Sequence, residues 1–158
     1  MDCGPTRGQE CGGGEGVADD PQPFEVFEHT ADVGVVARGR TLEELFANAG
    51  LAMFHLVADL DAVAERERQE LTVEGQDWES LLVRWLNELL YWLDAKGMLF
   101  RRFQVEELSP YRLRAVAWGE RMDPRRHDLH MGIKGVTRHL LQVGREDGWW
   151  RAQVVFDI

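Results

Sequence analysis

The chain has 158 residues, 44% of them hydrophobic and 29% charged, a size and balance that fit one globular domain with a real core plus a tail. Its 28 acidic against 18 basic residues give a formal charge of −10, which opposes direct binding to a nucleic-acid backbone, since such binding depends on neutralising phosphates. No apolar run reaches the roughly 18 residues that a span needs, and no basic segment followed by an apolar one opens the chain, so a soluble, cytoplasmic protein is expected.

Residues 1–22 are acidic and Gly-rich, a composition that buries too little apolar surface to offset its ordering entropy; a disordered tail is expected there, and a domain over 23–158. Cys3 and Cys11 both fall in that tail without further Cys or His at ligand spacing, and read as free thiols rather than a zinc site or a structural disulfide. Alternation over 24–27 predicts a half-buried strand, and 33–38 its neighbour beyond a polar bend. Thr41-Leu42-Glu43-Glu44 has the capping-box pattern, and apolar residues at three- and four-residue spacing predict a helix over 41–57. His55 falls off its apolar stripe and reads as an exposed histidine.

The mixed-sign run from Asp59 to Arg68 predicts a solvated loop, and Leu71-Thr72-Val73-Glu74 a strand. Asp77 can cap a second helix over 78–96, whose broad apolar face carries Trp78 and Trp85 as packing groups, with Gly97 as its stop. From Met98 the period changes to two. Strands are expected over 99–105, 111–118, 132–143 and 149–156, separated by Ser109-Pro110, Asp123-Pro124 and Asp147-Gly148. The order predicts an α+β fold, two helices packed on one face of a largely antiparallel β-sheet.

Three stretches could carry chemistry. The bend Glu28-His29-Thr30-Ala31-Asp32 offers carboxylates, an imidazole and a hydroxyl, which suit a hard cation or a proton-transfer partner, although most polar turns carry neither. Ile133-Lys134-Gly135-Val136-Thr137-Arg138-His139 sets a Lys between apolar neighbours in an expected strand; it could face the carboxylates of Glu28 and Asp32, meet a phosphate, or simply reach solvent. The apolar run Val154-Val155-Phe156-Asp157-Ile158 ends the chain. In a central strand it would hold the Asp157 carboxylate and that of Ile158 in place and, with Asp32, supply several hard oxygen ligands, favouring calcium, magnesium or manganese over zinc. The basic cluster Arg121, Arg125 and Arg126 reads as a solvated loop before it reads as a nucleotide contact.

The string HTADVG, the Thr-Leu-Glu-Glu helix start, LL-x-x-WLNELLY, WGE at 118–120, IKGVT-x-H at 133–139 and the terminal FDI together resemble the archease family over about residues 24–158. The resemblance implies a metal-binding protein factor, not itself an enzyme, that assists an RtcB-type RNA ligase in tRNA splicing by promoting guanylylation of the ligase's active-site histidine and repeated turnover. It implies a divalent metal, calcium before magnesium or manganese, on Asp32, Asp157 and the C-terminal Ile158, with His29 and Lys134 matching motif positions nearby. Glu28 stands where Asp is common, and Arg138 where an aromatic is common. The implied partner is the ligase, with tRNA reached only through it. Alternatives are a chaperone or adaptor for an RNA-modifying enzyme such as a tRNA methyltransferase, and a metal-dependent hydrolase, which would turn over substrate alone. No nucleophile elbow, phosphate-cradling Gly-rich loop or Cys-His pair supports independent catalysis.

Overall fold

Chain order places β1 (Phe24–Glu28) and β2 (Asp32–Gly39) before α1 (Leu42–Val57), followed by β3 (Glu67–Glu74), α2 (Trp78–Lys96), β4 (Met98–Ser109), β5 (Arg112–Arg121), β6 (Gly135–Glu146) and β7 (Trp149–Asp157). The computed structural model describes residues 21–28 and 32–158, Glu28 by its backbone alone. The expected tail, apart from Pro21 and Gln22, therefore lies outside the described residues, with Cys3 and Cys11, and so do His29, Thr30 and Ala31 of the bend.

Both helices begin at side-chain caps. Glu44 N–H donates to Thr41 Oγ1 at 3.1 Å, and the Glu44 carboxylate reaches back to the Arg40 N–H at 2.7 Å, one residue earlier than a reciprocal box on Thr41 would place it. Asp77 and Ser80 close a full box, with Ser80 N–H on Asp77 Oδ1 at 2.7 Å and Asp77 N–H on Ser80 Oγ at 3.1 Å. Gly97 ends α2 at φ 68, a left-handed conformation that lacks a steric penalty only for glycine.

In α1 only Glu43, Glu44 and His55 are exposed, and a helix apolar nearly all round needs covering on more than one side. That covering explains the sheet arrangement. The strands divide between a four-stranded sheet ordered β1-β2-β7-β6 and a three-stranded sheet ordered β3-β5-β4, every neighbouring pair antiparallel. The α+β antiparallel class is as expected, but one sheet becomes two, and α1 and α2 form a layer in contact with both. Trp85 is fully buried in that layer, its Nε1–H donating to the Phe46 carbonyl at 2.9 Å and its ring meeting Phe103 edge-on with centroids 5.6 Å apart. Without that acceptor the buried indole would carry a penalty of about 1–3 kcal/mol. Among the described residues no helix is long and apolar enough to cross a membrane.

Four strands differ from the periodicity: β4 runs on to Ser109 and β5 to Arg121, and β3 and β6 depart further. β3 begins at Glu67, inside the expected loop, because its outward face tolerates charge and only its backbone must pair, from Glu67↔Gly119 to Glu74↔Arg112. β6 runs to Glu146, and its register jumps from Thr137↔Val155 to Gln142↔Gln153. Residues 138–141 thus bulge opposite Val154, with Leu140 at φ 58 and its carbonyl accepting from Gln153 Nε2 at 3.0 Å. An edge strand can absorb such a bulge because only one neighbour must follow it.

The approach of β4 to β5 gives a test. A Cβ at Gly119 would stand 1.9 Å from the Leu99 carbonyl oxygen, a backbone atom, whereas one at Gly144 meets nothing within 4 Å. Gly119→Ala is expected to destabilise by about 1–3 kcal/mol or more through overpacking, and Gly144→Ala by less than about 0.5 kcal/mol. Urea unfolding measures both, and equal effects would contradict this packing.

Candidate metal centre

β2 and β7 are the two central strands of the four-stranded sheet, and their register ends on the pair Asp32↔Asp157. The pleat fixes which way these residues face. Val33, Val35 and Ala37 of β2, with Ala152, Val154 and Phe156 of β7, belong to the core, so Asp32 and Asp157 share the opposite face. Directly opposed residues of an antiparallel pair have Cβ atoms about 4.5–5.5 Å apart, and like charges there repel. Asp32 is half-buried and Asp157 exposed.

The rows around this pair are shaped by small residues. Gly135 of β6 registers with Asp157 from the other side, and a Cβ there would meet nothing within 4 Å, so the space beside the carboxylate stays open. One row inward, a Cβ on Gly34 would fall 2.1 Å from Phe27 Cζ, because the Phe27 ring lies over that glycine. The Lys134 N–H donates to the Asp157 carbonyl at 2.7 Å. Lys134 itself is the residue before β6 rather than inside a strand, and it is exposed. Ile158 follows Asp157 and is 38% exposed.

Of the expected site residues, the structure therefore brings Asp32, Asp157, Ile158 and the backbone of Lys134 to one end of the sheet. Glu28 is placed only by its backbone register with Val33, and His29 lies outside the described residues. Among the described residues no group of three or more His, Cys, Asp or Glu side chains could hold a metal. Two opposed carboxylates with open space beside them nevertheless fit a hard cation, which would offset their repulsion, better than a soft-ligand metal.

The structure also assembles a buried charged cluster that neither spacing nor periodicity indicates. Glu120 at the end of β5 is 2% exposed and His127 4%. The Asp123 N–H donates to His127 Nδ1 at 2.9 Å, so the ring proton sits on Nε2 and is donated to Glu120 Oε2 at 2.9 Å. The same oxygen accepts from the Ala64 N–H at 2.8 Å, while Oε1 is paired with Arg66 at 3.0 Å and with Arg126. Burial alone would raise the Glu120 pKa, but the bonds from Arg126, Ala64 and His127 outweigh it and hold the carboxyl at about 2, against an ordinary 4.5. Arg126 is thus tied down, and Arg121 lies near Glu67 and donates to the Lys96 carbonyl, so the basic loop is largely committed to internal contacts.

The profile of the Archease protein family (MTH1598/TM1083) matches residues 24–158. The chain is 42% identical over 139 residues to the Protein archease of Methanosarcina mazei, covering 85% of this chain and 95% of that one. It is 43% identical over 139 residues to the Protein archease of Methanopyrus kandleri, covering 86% and 99%. The solution structure of Methanobacterium thermoautotrophicum protein 1598 superposes with a TM-score of 0.74 at 36% identity, covering 86% of this chain and 99% of that one. A crystal structure from Thermotoga maritima, described as an archease and possible chaperone, shares the fold with a TM-score of 0.60 at 22% identity, covering 84% and 94%.

The Glu120 cluster predicts an acid limb of stability. A carboxyl with a lowered folded pKa contributes stability that is fully present above its unfolded value near 4.5 and is lost as pH falls through about 2. Glu120→Gln keeps the shape but turns an amide N–H₂ toward inward-pointing donors, and at pH 7 is expected to lose about 3 kcal/mol, as when a buried pair is broken. Urea unfolding at pH 7, 4 and 2 should show the gap to wild type closing between the last two. A gap independent of pH would contradict the assignment.

Proposed function

The chain belongs to the archease family, and on that premise we propose that it is a metal-binding protein cofactor that activates an RtcB-type RNA ligase in tRNA splicing, promoting guanylylation of the ligase's active-site histidine and multiple turnover. The observation that carries the reading is the register pair Asp32↔Asp157, two carboxylates held face to face at the end of a sheet. Asp32, Asp157 and the carboxylate of Ile158 would hold a hard divalent ion, because the donors are hard oxygens, with calcium placed before magnesium or manganese on the family resemblance. When bound, the ion neutralises the carboxylates and offers a positive centre to phosphate oxygens.

The chain's own residues do the rest. The main-chain bond from Lys134 to Asp157 fixes the segment from which the exposed Lys134 ammonium can reach an anion, and Glu28 and His29 are further candidates to serve the site. The formal charge of −10 suits docking beside a basic ligase surface by complementarity, with an affinity that falls as salt rises. In this reading the protein positions and activates but does not turn over substrate alone. A second reading, a chaperone or adaptor for an RNA-modifying enzyme such as a tRNA methyltransferase, needs the docking surface but not the ion.

The guanylylation rate of a cognate RtcB-type ligase, with GTP and a divalent metal, is expected to rise at least about tenfold, worth roughly 1.4 kcal/mol of barrier, when this protein is added. The rise should vanish with Asp32→Ala. No acceleration by the wild-type protein would remove the activator reading for that pair and leave the adaptor. In thermal melts, Asp32→Asn should stabilise the metal-free protein by about 0.2–1 kcal/mol by relieving the opposed charges, while abolishing any stabilisation by calcium.

A further inference from the structure

The segment 122–134 leads from β5 of the three-stranded sheet to β6 of the four-stranded one, and it is fastened at a succession of points. The Met122 N–H donates to the Gly97 carbonyl at 2.7 Å, Leu129 bridges Ala58, and the His130 N–H donates to the Val57 carbonyl at 2.7 Å. Ile133 then enters the core, 5% exposed, and the Lys134 N–H closes on the Asp157 carbonyl at 2.7 Å. His127 is this connector's buried polar side chain, and its acceptor is Glu120. Glu120 in turn accepts the Ala64 N–H and both Arg66 and Arg126, a set of donors that fills the roughly four acceptor positions of a carboxylate. The Glu120 carboxylate and the His127 ring are both buried, so each would be left unsatisfied if the other moved, whereas the Arg66 and Arg126 side chains are 67% and 42% exposed and can turn to water.

We propose that Glu120 is a positioning residue for the Asp32/Asp157 site: through His127 it anchors the connector whose far end sets Lys134 and Gly135 against Asp157. The claim rests on the cation-site reading given above and adds a remote residue to it. Glu120 touches neither carboxylate of that site; it acts through the main chain of 127–134, which has Ile133 in the core and Lys134 on Asp157. The fit of Glu120 to His127 thereby bears on the alignment of Gly135 with Asp157, where the open space lies.

Two variants test this. Glu120→Gln removes half of the acceptors. His127→Phe keeps a ring in place but deletes the bond to Glu120, leaving Ala64, Arg66 and Arg126 on the carboxylate, so it gives a readout should Glu120→Gln fail to fold. Amide hydrogen exchange is followed in the metal-free proteins, together with manganese binding by titration. In both variants the Lys134 amide is expected to lose about tenfold or more of its protection while Val35 and Val154 amides keep theirs, as for a local opening, and manganese affinity is expected to fall about fivefold. Unchanged Lys134 protection in a variant with a lowered melting temperature would overturn the positioning role and leave Glu120 merely structural. A wild-type protein that binds no manganese or calcium, even with the Lys134 amide loosened in the variants, would instead overturn the cation reading, and Glu120's service to that site with it. Exchange and titration thus separate the two failures.

Discussion

The pairing of β2 with β7 is the constraint on which the rest depends. These strands lie at the middle of the four-stranded sheet, and their register sets Val33 against Phe156 and Val35 against Val154 on the core side. Because side chains alternate with a period of two, that same register puts Asp32 opposite Asp157 on the other face. A slip of either strand by one residue would turn that strand's carboxylate toward the core and its apolar row outward. The burial of the apolar rows therefore holds the acidic pair together against its own repulsion, and stability and site geometry have one cause.

Around this pairing the helices act as a shared layer. α1 fills the space between β2 of one sheet and β4 of the other, and the fully buried Trp85 of α2 ties back to the Phe46 carbonyl of α1. The two sheets are joined through this helical layer and through the connector 122–134, fastened by the Glu120 cluster at one end and by Asp157 at the other. Charge is thus buried at one place in the described core, Glu120 with His127, and there the carboxylate is saturated with donors. At the sheet end, by contrast, Asp32 is half-buried and Asp157 exposed.

Local signals made much of this legible. Thr41, Asp77 and Gly97 mark helix ends through caps that depend only on neighbouring residues, so α1 and α2 could be placed from sequence within a residue or so. The Asp147-Gly148 turn, with φ 53 and 83, likewise follows from residue type. Asp32 and Asp157 stood out as hard ligands at the ends of strands, but their pairing is a contact between residues far apart in the chain that no local pattern encodes. The partition into two sheets was hidden for the same reason, although the apolar circumference of α1 carried a trace of it. β3 was underestimated because its first four residues, Glu67 to Glu70, are all polar, so only its Leu71–Val73 part alternates. The Glu120 cluster escaped notice because an acid at the end of a strand and a His in a Pro-containing loop look solvated until the fold brings them together, and His29, which the sequence itself sets between Glu28 and Asp32, is not among the described residues.

The claim that this sheet end is a cation site is most directly tested by titrating ¹⁵N-labelled protein with manganese and mapping the paramagnetic broadening of its amide signals. The account predicts saturable broadening centred on Asp32, Val33, Lys134, Gly135 and Asp157, absent from the outer end of β7 at Trp149 and from α2. Broadening scattered over the acidic surface, or centred on Glu120, would contradict it.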